Sequence, residues 1–224
     1  IYQKIKGYGV MIIQEMLQLL TTRSEFFMRL FVEHLMICGI AASCAIVIGV
    51  GLGVLITEHQ KFAPFVIQAS NIIYTIPSIS LFGLLILVSG IGNASAIIAL
   101  VIYALLPMIN GTRTGFLQID TGLIGAAQSF GMTRWQILRR IKLPLALPII
   151  LSAIRTMLVM TIALAGVASF IGAGGLGVAV YRGITTNSTA MTAVGSILIM
   201  LIAFLADFVL AYFEKSIKWR KSHA

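Results

Sequence analysis

The chain has little charge, and least of all acid. Only 10% of its 224 residues are charged, with 7 acidic residues against 16 Lys and Arg. Soluble domains carry ~25% charged residues. Here 59% of residues are hydrophobic and the mean hydropathy is +1.02. A fold of this size keeps too much surface to hide so many apolar side chains from water. Disordered chains and almost all soluble enzymes are excluded on that ground. Cysteine is scarce as well. Cys38 and Cys44 both fall inside an apolar run and read as small buried hydrophobes. Neither a disulfide framework nor a zinc spacing is present. A Walker-type phosphate loop, a zinc-protease helix motif and a serine-hydrolase elbow are all missing, so no catalytic residue and no metal site is expected. His34, His59 and His223 are isolated and read as surface or interface histidines.

What the chain has is long apolar runs, which imply an all-α integral membrane protein, since lipid demands that every backbone polar group be satisfied within the span. A span takes ~20 residues. Gaps between charges predict five, at about 35–57, 64–88, 94–111, 148–170 and 189–213. A glycine-containing break at 89–93 separates the second from the third, and Pro77 and Pro107 are expected to interrupt those two spans. Gly39, Ala41, Ala42, Ser43 and Ala45, followed by Gly49, Gly51 and Gly53, favour close packing of the first span.

Basic residues set the orientation. The 112–147 connection carries Arg113, Arg134, Arg139, Arg140 and Lys142, and the tail carries Lys215, Lys218, Arg220 and Lys221. Both are therefore expected in the cytoplasm, and five spans then put the N-terminus outside. The expected division is an external or interfacial segment at 1–29, a transmembrane domain at 30–215 and a basic cytoplasmic tail at 216–224. In a soluble protein a net charge of +9 would suggest nucleic acid. Here it fits anionic membrane lipid, and no nucleic-acid partner is expected.

The segment 120–148 reads as two short helices. Asp120 or Thr121 caps the first, Gly131 suits a left-handed stop, and Thr133 with Gln136 fits a capping box for the second. Arg139, Arg140 and Lys142 would lie near its C-terminal end, with Pro144 ending it. Ala126 and Ala127, flanked by Leu123 and Phe130, present a bare surface, and Ile137, Leu138 and Ile141 form an apolar stripe. Spacing alone leaves open whether these faces meet a partner or their own bundle. Gly172, Gly174 and Gly177 match the letters of a dinucleotide-binding fingerprint, but no strand precedes them. A tight external re-entrant turn, with Gly175 included, is the reading. Arg155 is expected to snorkel to the cytoplasmic interface, and Asp207 to reach it or to pair with a basic neighbour.

Gly125, Ala126 and Ala127, then Gly131, then Ile141, Leu143 and Pro144 resemble the EAA loop of ABC importer permeases. Three further stretches resemble the glycine betaine, choline and carnitine permeases: Tyr74 to Ser78, Leu105 to Pro107, and Ser169 to Gly177. The resemblance covers about 30–215. It implies a type I, binding-protein-dependent importer of the bacterial cytoplasmic membrane, with a five-span methionine-permease-like fold. It also implies a second permease subunit, identical or paralogous, two cytoplasmic ATPase subunits that bind ATP and Mg, and an external substrate-binding protein. This chain itself holds no cofactor and is no enzyme on that reading. The family places Glu where Gly125 stands, so an ion pair from that carboxylate to the ATPase is absent here. Tyr74, Thr75, Pro77, Ser78, Pro107 and Asn110 are the expected lining of the path. Quaternary amines favour aromatic cages, but Tyr74, Phe82, Tyr103 and Phe170 look scattered. The alternatives are a methionine-type importer permease and a passive oligomeric channel.

Overall fold

A computed structural model describes residues 2–222, with side chains described over 11–215. Ile1, His223 and the side chains of Lys218, Arg220 and Lys221 lie outside the described residues. Among the described residues there is no strand. Helices α1 (Tyr2–Thr22), α2 (Ser24–Glu58), α3 (Ala63–Thr75), α4 (Ser78–Ser89) and α5 (Asn93–Leu117) come first. They are followed by α6 (Thr121–Ser129), α7 (Arg134–Ile137), α8 (Leu143–Val167), α9 (Gly177–Thr185) and α10 (Thr189–Ser222).

Four helices are long and apolar enough to cross a bilayer: Ser24–Glu58, Asn93–Leu117, Arg134–Ile171 and Thr189–Lys215. A fifth candidate is the pair Gln60–Thr75 and Ser78–Ser89, bent by 101° at its break. The five-span expectation is met if that pair counts as one span. Its bounds need correction at three places. Helix α2 begins at Ser24, because Glu33 and His34 do not end it: their side chains are used inside the fold. Pro107 does not break α5, which runs through it. Its missing N–H is tolerated on a helix whose neighbouring Ala104, Met108 and Ile109 are fully or almost fully buried. Pro144 does not end a helix either. A π turn over Leu138–Lys142 leads directly into α8, and Pro144 falls in that helix's first turn, where a missing N–H costs least. Arg139, Arg140 and Lys142 therefore lie near the start of a continuous helical run, Arg134–Ile171, and do not face a helix C-terminus.

The chain divides into two compact units. The first comprises residues 1–41, 77–100 and 160–205. Its interior holds Phe27, Leu30, Phe82, Leu100, Leu176 and Val194. His34 is also fully buried there, correcting the surface assignment, and its Nε2 lies 3.2 Å from the Ile162 carbonyl oxygen. The second comprises 42–76, 101–159 and 206–224. Its core joins Ala42, Ala45, Ala104, Met108, Phe116, Ala146, Ile150 and Met157. Small residues set its spacing: a Cβ at Gly49 would lie 2.5 Å from Met108 Cβ, and one at Gly111 would lie 2.2 Å from Ala153 Cβ. Close helix packing is thus what Gly49 and Gly53 of the first span provide in this unit, while Gly51 has open space beside it.

Candidate functional site

Three groups of expected site residues take shape. The first is the 120–144 segment in the second unit. The Asp120 carboxylate caps α6 by accepting from the Gly122 N–H at 2.8 Å. Helix α6 closes in a Schellman arrangement: Met132 N–H donates to the Ala127 carbonyl at 3.1 Å and Gly131 N–H to the Gln128 carbonyl at 2.9 Å. Gly131 has φ +75, the left-handed value this closure needs. The capping box of α7 is complete, with Gln136 N–H donating to Thr133 Oγ1 and Thr133 N–H to Gln136 Oε1. Each of these caps was legible in the sequence.

The faces divide differently from the expectation. Ala127 is buried, while Ala126 is exposed beside Leu123, and Phe130 is 89% exposed. Trp135, unmarked by the sequence reading, is 66% exposed. Ile137 turns inward, and Leu138 and Leu143 pack on the second unit's core. One stripe thus folds onto its own bundle and the other stays exposed. Ile141 is half-buried, Gly125 is partly exposed and Pro144 is exposed. Lys142 forms an ion pair with Glu58 at the end of α2.

The second group surrounds the α3–α4 break. Pro77 caps α4 with φ −56 and ψ 135, an extended conformation that α3 cannot continue through. The Tyr103 hydroxyl, from α5, donates to the Ile76 carbonyl oxygen. The Tyr74 and Tyr103 rings stand edge to face, 5.9 Å apart at 74°. Two of the four scattered aromatics are therefore neighbours. Phe82 is fully buried in the first unit, and Phe170 pairs with Tyr181 at 5.1 Å. Thr75 and Pro77 are exposed and Ser78 is half-buried. Pro107 and Asn110, both half-buried, follow Tyr103 by about one and two turns on α5.

The third group is the glycine-rich turn of the first unit. A 3-10 turn at Ala168–Ile171 ends on Gly172 in the left-handed region. Gly92 N–H donates to the Ile171 carbonyl at 3.1 Å and Gly174 N–H to Asn93 Oδ1 at 2.8 Å. Gly175 N–H donates to Glu33 Oε2 at 3.1 Å. The turn is thus knitted to the 90–93 turn and to α2. A Cβ at Gly177 would lie 2.1 Å from the backbone oxygen of Gly166, an approach no side chain permits. Gly177→Ala must displace backbone, and we expect a loss of ~2 kcal/mol or more, read as a lower midpoint in thermal unfolding of the purified protein.

One further pair was half anticipated. Arg155 pairs with Asp207, as one of the two expectations for the acid had it: its Nε and Nη2 donate to Asp207 Oδ1 and Oδ2 at 2.5 and 2.7 Å. Glu214 Oε2 lies 3.9 Å from Arg155 Nη1. Among the described residues no cluster of metal-ligating side chains occurs.

Comparison with known proteins places these features in a family. Residues 45–219 match the family described as "binding-protein-dependent transport system inner membrane component". The carnitine transport permease protein OpuCD of Listeria monocytogenes is 36% identical over 92% of this chain and 92% of its own length. The osmoprotectant import permease protein OsmW of Salmonella typhimurium is 42% identical over 80% of this chain and 85% of its own. An inward-facing structure of the MetNI methionine ABC transporter aligns with a TM-score of 0.78 at 27% identity, covering 88% of this chain and 98% of that one.

Proposed function

From the premise that this chain belongs to the binding-protein-dependent inner membrane component family of the bacterial cytoplasmic membrane, we propose that it is the permease subunit of an ATP-driven importer of osmoprotectants. The substrates are small quaternary amines such as glycine betaine, choline or carnitine. The relatives named above support that class over methionine. The complete complex contains a second permease, identical or paralogous, two cytoplasmic ATPase subunits that bind ATP and Mg, and an external substrate-binding protein. The permease itself does no chemistry. It is a membrane-spanning path whose access alternates as the ATPases close and reset.

The observation that carries the reading is the 120–144 segment. It is an apolar helix pair, closed by caps at both joints, with Ala126, Phe130 and Trp135 outward and Ile137 and Leu138 anchored in the bundle. The run from Arg134 to Ile171 is one candidate span. A push on α7 therefore passes into a spanning helix without crossing a loose joint. Tyr74, Thr75, Pro77, Ser78, Pro107 and Asn110 line the path, and Gly172, Gly174, Gly175 and Gly177 shape its outer side.

Reconstitution tests this. Proteoliposomes containing the permease alone are expected to pass no glycine betaine. Adding the ATPase chains and the loaded binding protein is expected to start uptake that needs ATP and Mg. Flux through the permease alone, without nucleotide, would replace the importer with the passive channel.

A further inference from the structure

We propose that the first unit seats one zwitterionic phospholipid at the joint of α1 with α2, beside the start of α10. The seat is independent of which solute the importer carries. Two cavities of opposite chemistry flank this joint. One, of about 290 Å³, is lined by Leu20, Ser24, Phe27, Met28, Phe31 and Leu198, all apolar except Ser24. The other, of about 300 Å³, includes Glu15, Gln18, Thr22, Arg23 and Ser188 in its wall. Arg23 and Ser24 are chain neighbours, so the cavities lie on either side of one peptide bond. Among the described residues neither Glu15 nor Arg23 has an ion-pair partner. Opposite charges on one cavity wall suit a ligand that carries both.

The order of these groups matches the order of groups in such a lipid. Arg23 N–H donates to the Leu19 carbonyl at 2.9 Å and Phe27 N–H to the Arg23 carbonyl at 3.1 Å, so the helical hydrogen bonds continue through the joint. From Phe31 towards the N-terminus come the apolar wall, then Arg23, then Glu15 eight positions on, or ~12 Å along a helix. Phosphatidylethanolamine presents acyl chain, phosphate and ammonium in that sequence. Helix α10 repeats the order, with Ser188 and Ala190 on the polar cavity and Leu198 on the apolar one. Ser188 Oγ accepts from the Met191 N–H at 3.3 Å, and the partial positive charge of this helix N-terminus adds to Arg23 in favouring phosphate. A free zwitterion such as glycine betaine would answer the charges but leave the apolar cavity empty. An anionic lipid would answer Arg23 but offer nothing to Glu15. Met11, Ile13 and Leu17 of α1 and Met28 of α2 are exposed as well, as on a helix that lies against the bilayer surface.

The test uses the complete complex, depleted of lipid by detergent washing and offered phosphatidylethanolamine and phosphatidylglycerol of the same acyl chains in equal amounts. Native mass spectrometry counts the lipid that stays bound. Phosphatidylethanolamine is expected to be retained in about threefold or greater excess. Met28→Trp fills the apolar cavity from an exposed position and is expected to lower that retention about fivefold or more. The double variant Glu15→Arg with Arg23→Glu keeps the net charge but reverses its order, and is expected to lower retention about as much. Both changes fall on exposed side chains, and co-purified ATPase reports assembly of each variant. Four results would each overturn the seat. The first is equal retention of the two lipids, and the second is wild-type retention by both variants. The third is displacement of the lipid by glycine betaine or by glycerophosphoethanolamine, which would make the cavity a site for a free zwitterion. The fourth is a disulfide from Met28→Cys to a cysteine on the second permease, which would show that protein covers the cavity. None of these bears on import, which is read separately as ATP-dependent uptake.

Discussion

Arg155→Leu is expected to be among the most damaging single substitutions in the transmembrane region. Arg155 follows Lys142 by 13 positions in the helical run, or ~20 Å at 1.5 Å per residue. A charge within an apolar spanning segment is costly unless it is paired. Here it is paired in a two-pronged bond to Asp207, with Glu214 at 3.9 Å as a second acid. Asp207 and Glu214 lie seven residues apart, two turns on one face of α10. Removing the arginine strips the Asp207 carboxylate of its two-pronged partner. Removing Asp207 leaves Arg155 with Glu214 still near it. The expected order of damage is therefore Arg155→Leu, then Asp207→Leu, then the double variant, which leaves the fewest uncompensated charges. Both single variants should melt below the wild type, and the double variant closer to it. Thermal unfolding of the detergent-solubilised complex measures this. If both single variants melt with the wild type, the pair is ornamental and the helices are held by packing alone.

How much of this was legible in the sequence depended on the range of the interaction. The caps of α6 and α7 were readable because Asp120, Gly131, Thr133 and Gln136 act within five residues of themselves. The spans were readable because apolar runs and charge gaps are local too. What could not be read was which distant groups meet. Tyr103 finds the Ile76 carbonyl across 27 positions, Arg155 finds Asp207 across 52, and Glu33 finds Gly175 across 142. Only the folded bundle creates those meetings. His34 reads as the outer limit of the first span for the same reason: a polar residue in an apolar run looks like a boundary until its partner is known. Pro144 misled in another way. Proline blocks the hydrogen bond of an ordinary helix, and it reads as a stop unless a π turn precedes it, as one does at Leu138–Lys142. The family motif at Gly125 to Pro144 was legible as letters, but the letters did not say which alanine faces out.

That last point decides how docking on the ATPase should be tested. Ala127→Trp reads out folding, because Ala127 is buried and a large ring there overpacks the second unit. Phe130 is the better probe, at 89% exposure with no fold-stabilising burial to lose. An exposed phenylalanine on a helix pair outside the lipid is costly unless something covers it. Phe130→Asp is expected to leave membrane insertion and thermal stability unchanged, to strip the ATPase subunits from the purified complex, and to lower uptake at least ~100-fold, since energy no longer reaches the spans. Gly131→Val should act on the same coupling by a different route. It forces a branched residue to φ +75, opens the Schellman closure of α6 and misaims Phe130, at a strain of ~1–2 kcal/mol. Gly125→Glu separates surface from scaffold. A Cβ there meets nothing within 4 Å, so a side chain can start at this position without displacing a neighbour. If docking needs only the apolar face, this variant couples at least as well as the natural chain. Should Phe130→Asp retain its ATPase partners and its uptake, the outward stripe of α6 and α7 is not the docking surface, and the contact has to be sought among the basic residues Arg134, Arg139 and Arg140 instead.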